Sequence, residues 1–201
     1  MSSLAAEEEA ITASEVLMQL EKAWTNEMLA PELLEAKPEL VECMMEQLSE
    51  MEENIRRVKK GDFVASLHQL EIERIRFVVA SYLRTRLKKI ETHYVILLEK
   101  SQKLLSVDEL AYAKEYARNI EKLFDGLALR RMPSNLRNLD GDKLAVMPND
   151  DAYVFFRVLR RCNEVAAEED EVPVDLERGS QHIMRYRPVA SLLADNSILL
   201  L

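Results

Sequence analysis

The stretch that most constrains this chain runs from Asp62 to Lys100, thirty-nine residues without a Gly or Pro, just after the Lys60-Gly61 break. With no breaker inside it, the default is one continuous helix of roughly 58 Å, about twice the width of a small domain. Ile72, Ile75, Val79, Leu83, Leu87, Ile90, Tyr94 and Leu97 recur at spacings of three and four, which puts them on one face. A second row, Val64, Leu67, Ile75, Val78 and Tyr82, lies beside the first. Two adjacent apolar rows are wider than one partner helix covers, so the rod is expected to be packed from at least two sides. Stepping about 100° per residue from Val64 places Arg86 near 40° and Arg76 near 120°, both inside the apolar sector. Either their stems lie along the surface with the heads in water, or they lock register against carboxylates.

Acidic segments upstream offer such carboxylates. Residues 1–55 hold two Lys against fourteen Asp and Glu, a balance of −12, whereas residues 56–103 carry +7. Acidic helices followed by a basic one attract across a helix pair. The net charge of −9 argues against a generic nucleic-acid coat, which needs a basic surface to displace counterions.

Residues 1–11 are small and acidic and read as a disordered tail. Thr12 with Glu15 forms a capping-box pattern that opens a first helix, with Leu17, Leu20, Trp24 and Met28 on one side and Pro31 as its stop. Pro38 starts a second helix, whose Leu40, Met44, Leu48, Met51, Ile55 and Val58 form a near-heptad seam. Gly61 permits a turn and Asp62 can cap the rod, giving an antiparallel hairpin in which Glu42, Glu46, Glu50 and Glu53 are candidate partners for Arg76 and Arg86. Ser106 with Glu109 opens another helix to about Arg131. After a linker over 132–151 the period changes to short β-rich runs at Tyr153 to Leu159, Val172 to Leu176, Gln181 to Tyr186 and Ser197 to Leu201. A one-turn helix is expected near Val189 to Ala194. The predicted architecture is therefore mainly α: a long-helix bundle of antiparallel helical hairpins over 12–131, with a small C-terminal β-rich domain over 152–201. So small a core is marginal alone. The apolar end Ile198 to Leu201 is expected to be buried, with another polypeptide as one possible cover.

No constellation points to catalysis. His68, His93 and His182 show no metal-ligand spacing with one another or with Cys43 and Cys162, and the two cysteines read as small core residues. Ser180 and His182 are close, but no strained nucleophile turn surrounds them. Asp140-Gly-Asp142 is too short for a calcium loop, and no glycine pair forms a phosphate cradle. Arg84, Arg86, Lys88 and Lys89 wind around the rod instead of lining one face, so direct DNA contact is not expected. No apolar run reaches the length of a membrane span, and the first residues lack a signal-peptide pattern, so a reducing intracellular setting is expected. The residues alone leave a non-catalytic assembly subunit, a free-standing helical adaptor and a DNA-binding factor open; no enzyme, cofactor or metal is expected.

Longer motifs are more specific. Leu20-Glu-Lys-Ala-Trp24-Thr-Asn-Glu27, Ala30-Pro-Glu-Leu-Leu34, Lys37-Pro-Glu-Leu-Val-Glu-Cys43, Glu73-Arg-Ile-Arg76 through Tyr82-Leu-Arg84-Thr-Arg86-Leu-Lys-Lys-Ile-Glu91, and Gly179-Ser-Gln-His182 with Arg185-Tyr186 resemble the Sld-five family of subunits of the eukaryotic GINS complex. The resemblance implies a heterotetramer with three other GINS subunits. It further implies association with the Cdc-forty-five protein and the MCM ring in the replicative helicase, a docking surface for polymerases and adaptors, and a nuclear, chromatin-associated location. Within that picture Trp24, Tyr82, Leu83 and Leu87 are expected to pack the helical domain and its neighbour, with Arg76 and Arg86 paired to acids. Ile183, Tyr186, Leu192, Leu193, Leu199, Leu200 and Leu201 are expected to dock the β domain elsewhere on the complex.

Overall fold

The computed structural model describes residues 12–57, 63–133, 137, 145–165 and 174–201, with backbone only for 163–165. The expected tail, the Gly61 turn with its Asp62 cap, Val58, the acidic loop Glu168 to Glu171 and Asp140 to Asp142 lie outside the described residues.

Helix α1 spans Ala13–Leu29, and its capping box forms as expected: the Thr12 N–H donates to Glu15 Oε2 at 2.8 Å and the Glu15 N–H to Thr12 Oγ1 at 3.3 Å. Ala30 is extended, at φ −70° and ψ 138°, the conformation that a following proline imposes, so the helix stops before Pro31. Helix α2 spans Pro38–Arg57, α3 Phe63–Lys100 and α4 Val107–Leu127; a short 3-10 turn at Leu129–Arg131 completes the expected fourth helix. The rod is not straight: His93 leaves helical geometry at φ −112° and ψ 18°, and its Nδ1–H donates to the Val146 carbonyl at 2.7 Å.

Cross-links fix the helix directions. Glu21 meets Arg74, Trp24 meets Phe77 and Ser81, and Glu27 meets Arg86, so α1 and α3 run the same way. Helix α2 returns between them, from Lys37 beside Tyr82 to Glu52 beside Arg76, and completes the expected hairpin with α3. Helix α4 is not hairpinned on α3. Residues 101–106 double back, and Glu109, Tyr112 and Tyr116 then meet Arg86, Glu91 and Tyr94 in increasing order. The first core gathers Val16, Leu20 and Ala23 with Met44, Leu48, Ile72, Ile75, Val78, Val79 and Tyr82. A second, smaller core joins Leu33, Ile90, Leu97 and Ala113.

The C-terminal part holds β1 (Tyr153–Val158), β2 (Cys162–Val165), β3 (Val174–Leu176), β4 (Gln181–Arg185), α5 (Tyr186–Ala194) and β5 (Ile198–Leu200). Strands β4, β1 and β5 form an antiparallel sheet in that order, and β2 pairs with β3 separately. Strand β2 was not expected, and the helix is longer than the single turn predicted. Strand β1 alternates strictly, with Val154, Phe156 and Val158 inward and Tyr153, Phe155 and Arg157 outward. The terminal strand is covered by its own chain: Ile198 and Leu200 are buried in a core that includes Ala30 at the end of α1, and the Leu200 N–H donates to Asn26 Oδ1 at 3.0 Å. Burial of this end was expected, but no other polypeptide is needed for these two residues; Leu201 remains exposed.

Candidate functional site: a buried ion cluster and two uncovered apolar faces

Arg86 sits on the core face of α3 because its neighbours at helical spacing, Tyr82, Ile90 and Val79, are themselves buried. Its side chain is 1% exposed, so each of its five N–H groups needs an acceptor. Each has one. Nε and Nη2 form a fork onto Glu109 at 2.7 and 2.9 Å, Nη1 donates to Glu27 Oε2 at 3.0 Å and to the Leu34 carbonyl at 2.8 Å, and Nη2 also donates to the Leu104 carbonyl at 3.0 Å. Lys89, one turn on, donates to Glu27 Oε1 at 2.8 Å, to the Glu32 carbonyl at 2.7 Å and to the Glu27 carbonyl. Two cations thus meet two carboxylates, and both connections, 30–37 and 101–106, are tied to α3 through their carbonyls. The guanidinium also lies 5.7 Å from the centre of the Tyr82 ring.

Glu109 serves twice. It closes the capping box of α4, accepting from the Ser106 N–H at 3.0 Å, and it also receives the Arg86 fork. Burial pushes its carboxyl up, but the Arg86 and Ser106 hydrogen bonds outweigh that and hold it below the usual carboxylate range. Burial pulls Arg86 down, yet Glu109, Tyr82 and Glu27 together hold it above its ordinary value. Lys89 is pulled below its ordinary value by burial, which Glu27 only partly offsets.

The expected partners of the two arginines are corrected here. Arg76 pairs with Glu52, and Arg86 with Glu27 and Glu109, not with Glu42, Glu46, Glu50 or Glu53. Glu53 instead pairs with Arg57 on its own helix at 2.6 Å. The reason is axial: α2 reaches the level of Arg76 only near its end, while Arg86 lies beside the end of α1. Lys89 likewise belongs to the cluster and not to a solvated basic band.

Other residues singled out from the sequence fall into inward and outward sets. Trp24 is half-buried, its Nε1–H donating to Ser81 Oγ at 2.9 Å. Tyr82, Tyr186, Leu193 and Leu200 are buried within this chain, and the Tyr186 hydroxyl donates to Glu32 Oε1 at 2.7 Å across the two parts of the fold. Burial, then that hydrogen bond, raises the Tyr186 hydroxyl above its ordinary value. Leu87, Leu192 and Leu199 are half-buried, while Leu83, Ile183 and Leu201 are exposed.

Two apolar faces are uncovered among the described residues. Phe63, Leu67, Leu70 and Phe77 follow helical spacing on α3, with Phe63 79% and Leu70 64% exposed. On the sheet, Phe155 pairs with Ile183 and the Leu201 N–H bonds the Phe155 carbonyl, so these three and Tyr153 share an outer apolar face. Phe155 and Tyr153 were missed as surface candidates; the strict alternation of β1 was the signal that could have found them.

No group of three or more His, Cys, Asp or Glu is placed to hold a metal among the described residues. Ser180 Oγ gives its one proton to the Glu177 carbonyl at 2.6 Å, so the 2.7 Å contact requires His182 Nε2 to donate. An imidazole that presents its N–H to the hydroxyl is not a base for it. The free Cys43 and Cys162 are both half-buried. No helix among the described residues is long and apolar enough to cross a membrane.

Residues 43–128 match the family model described as the GINS complex protein helical bundle domain, and residues 148–201 match that of the DNA replication complex GINS protein SLD5 C-terminus. The protein from Homo sapiens named DNA replication complex GINS protein SLD5 is 45% identical over 97% of this chain and 93% of its own length. Its namesake from Bos taurus is 48% identical over the same shares. The Arabidopsis thaliana protein of that name is 32% identical over 89% of this chain and 88% of its own length. With the helical bundle, the C-terminal sheet and the sequence likeness agreeing over nearly the whole length, the chain belongs to the SLD5 family, non-catalytic GINS subunits of the DNA replication complex.

Proposed function

We propose that this chain acts in the nucleus, on chromatin, as one of four subunits of a GINS heterotetramer that joins the Cdc-forty-five protein and the MCM ring in the replicative helicase. It braces the ring and offers polymerases and adaptors a docking surface. The observation that carries the reading is the exposed α3 stripe of Phe63, Leu67, Leu70 and Phe77, a row of large apolar side chains that a finished surface seldom presents. Leu83 and the half-buried Leu87 supply a contact on another face of the same helix, while Ile183 and Leu201, flanked by Leu192 and Leu199, supply one on the β side. Trp24, Tyr82, Arg86, Tyr186, Leu193 and Leu200 act from beneath, holding those surfaces in shape, while the exposed Arg76 ties α3 to α2 through Glu52.

The same reading divides the chain into an acidic tail over 1–11, a helical domain over 12–131, a linker over 132–151 and a β domain over 152–201. Limited proteolysis tests it, with the first cuts expected in the tail and the linker. Co-expression with candidate sister subunits, followed by native mass measurement, tests the assembly, and a 1:1:1:1 species is expected. A solitary chain that is compact, monodisperse and indifferent to those subunits would leave the free-standing adaptor instead.

A further inference from the structure

A cleft of about 810 Å³ opens between α1 and the C-terminal part. Four cationic side chains line it: Lys22 from α1, Lys37 from the end of the 30–37 connection, Arg160 from the turn after β1 and Arg178 from the turn before β4. All four are exposed, and among the described residues none of their charged heads has an ion-pair or hydrogen-bond partner. Among the described residues no carboxylate lines the cleft, although the chain as a whole carries a net charge of −9. Cations that converge on one concavity repel one another and focus a positive potential there until an anionic group joins them. The cleft is thus built for negative charge, and its remaining lining indicates which kind.

Three carboxamides, Gln19, Asn26 and Asn196, sit among the cations. Carboxamides carry both donors and acceptors and so suit a peptide backbone. Among the described residues no aromatic ring lines the cleft to stack a base, and the acidic remainder of the surface repels a long polyphosphate. We propose that this cleft is a docking site for an acidic peptide segment of a partner protein. Arg160 and Arg178 clamp carboxylates through their planar forks, Lys22 and Lys37 hold a further carboxylate as point charges, and the carboxamides bond the main chain. The site uses none of the α3 stripe, so it stands or falls independently of the tetramer.

Fluorescence anisotropy tests this with a fluorescein-labelled decapeptide of alternating Glu and Ser, titrated with the full chain in the assembly in which it purifies. Saturable binding that weakens with added salt is expected, with no binding of the same peptide carrying Gln for Glu. The double variant Arg160→Ala/Arg178→Ala should lower affinity roughly tenfold, and Lys22→Ala/Lys37→Ala several-fold, while Arg84→Ala/Lys88→Ala on α3 leaves it unchanged. All substituted side chains are exposed, so circular dichroism of each variant should match the parent. Unchanged affinity in both cleft variants would overturn the assignment. So would a thymidine oligonucleotide that binds through the same four residues more tightly than the peptide. Peptide binding that emerges only when Glu7, Glu8 and Glu9, or Glu168, Glu169 and Glu171, are changed to Gln would also overturn it, because the chain would then be filling its own cleft.

Discussion

At its middle, α3 carries Arg86 into the interior and gives every one of its N–H groups an acceptor; over its first turns the same helix carries Phe63 and Leu70 into solvent. The charge is hidden and the oil is shown, the reverse of the usual rule. The difference lies in what stands alongside. Around residue 86 the end of α1, two returning connections and the start of α4 converge, supplying carboxylates and carbonyls from separate segments. Over residues 63–70 no described element of this chain lies against the apolar stripe. A closed ionic cluster can therefore specify how this chain packs on itself, while an open stripe specifies that it packs on something else.

The sharpest way to break that contrast is Arg86→Ala. The substitution takes the guanidinium from Glu109 and leaves Glu27 with Lys89 alone, and a loss of about 3–5 kcal/mol is expected in urea denaturation of the purified assembly. A loss below about 1 kcal/mol, the range of an exposed pair such as Arg76 with Glu52, would mean the cluster is not a lock.

Acid should open the same cluster more gently. The folded-state value of Glu109 lies below its ordinary 4.5, so its contribution is complete above that pH and is lost as pH falls through the depressed folded value. Melting temperature measured downward from pH 6 should fall more steeply for the parent than for Glu109→Gln, whose curve starts lower; parallel curves would remove Glu109 from the account. A smaller effect, about 1–2 kcal/mol, is expected for Tyr186→Phe, which leaves half-buried Glu32 without the hydroxyl that links the two parts of the fold.

The smallest change in stability belongs to the open stripe. Leu67→Ser with Leu70→Ser should alter the stability of the chain by no more than about 0.5 kcal/mol, because both side chains already face solvent. Co-purification with sister subunits should nevertheless drop several-fold. Undiminished recovery of the assembly would show that the stripe is not the contact.

Much of the helical part was legible. The Thr12–Glu15 and Ser106–Glu109 caps, the stop before Pro31 and the start at Pro38 are local signals spanning a few residues, and each formed where expected. The β part was read from short β-rich runs such as Tyr153 to Leu159, but β2 has only four residues, too few to mark it by composition. The partners of Arg86 were misplaced because helical periodicity gives the angle of a side chain about the axis and says nothing of which segment arrives beside it.

By itself, the sequence determined the elements: their caps, their breakers, the apolar sector of α3 and the anomaly of an arginine within it, since these depend on neighbours within a turn or two. Only the tertiary structure decided that α4 runs along α3 instead of against it, that Glu27 and Glu109 meet at Arg86, and that the terminal strand closes on α1. The physical reason is separation along the chain. Arg86 lies 59 residues from Glu27 and 23 from Glu109, and the kink at His93 and the doubled-back connection, which set such distances in space, leave no periodic trace.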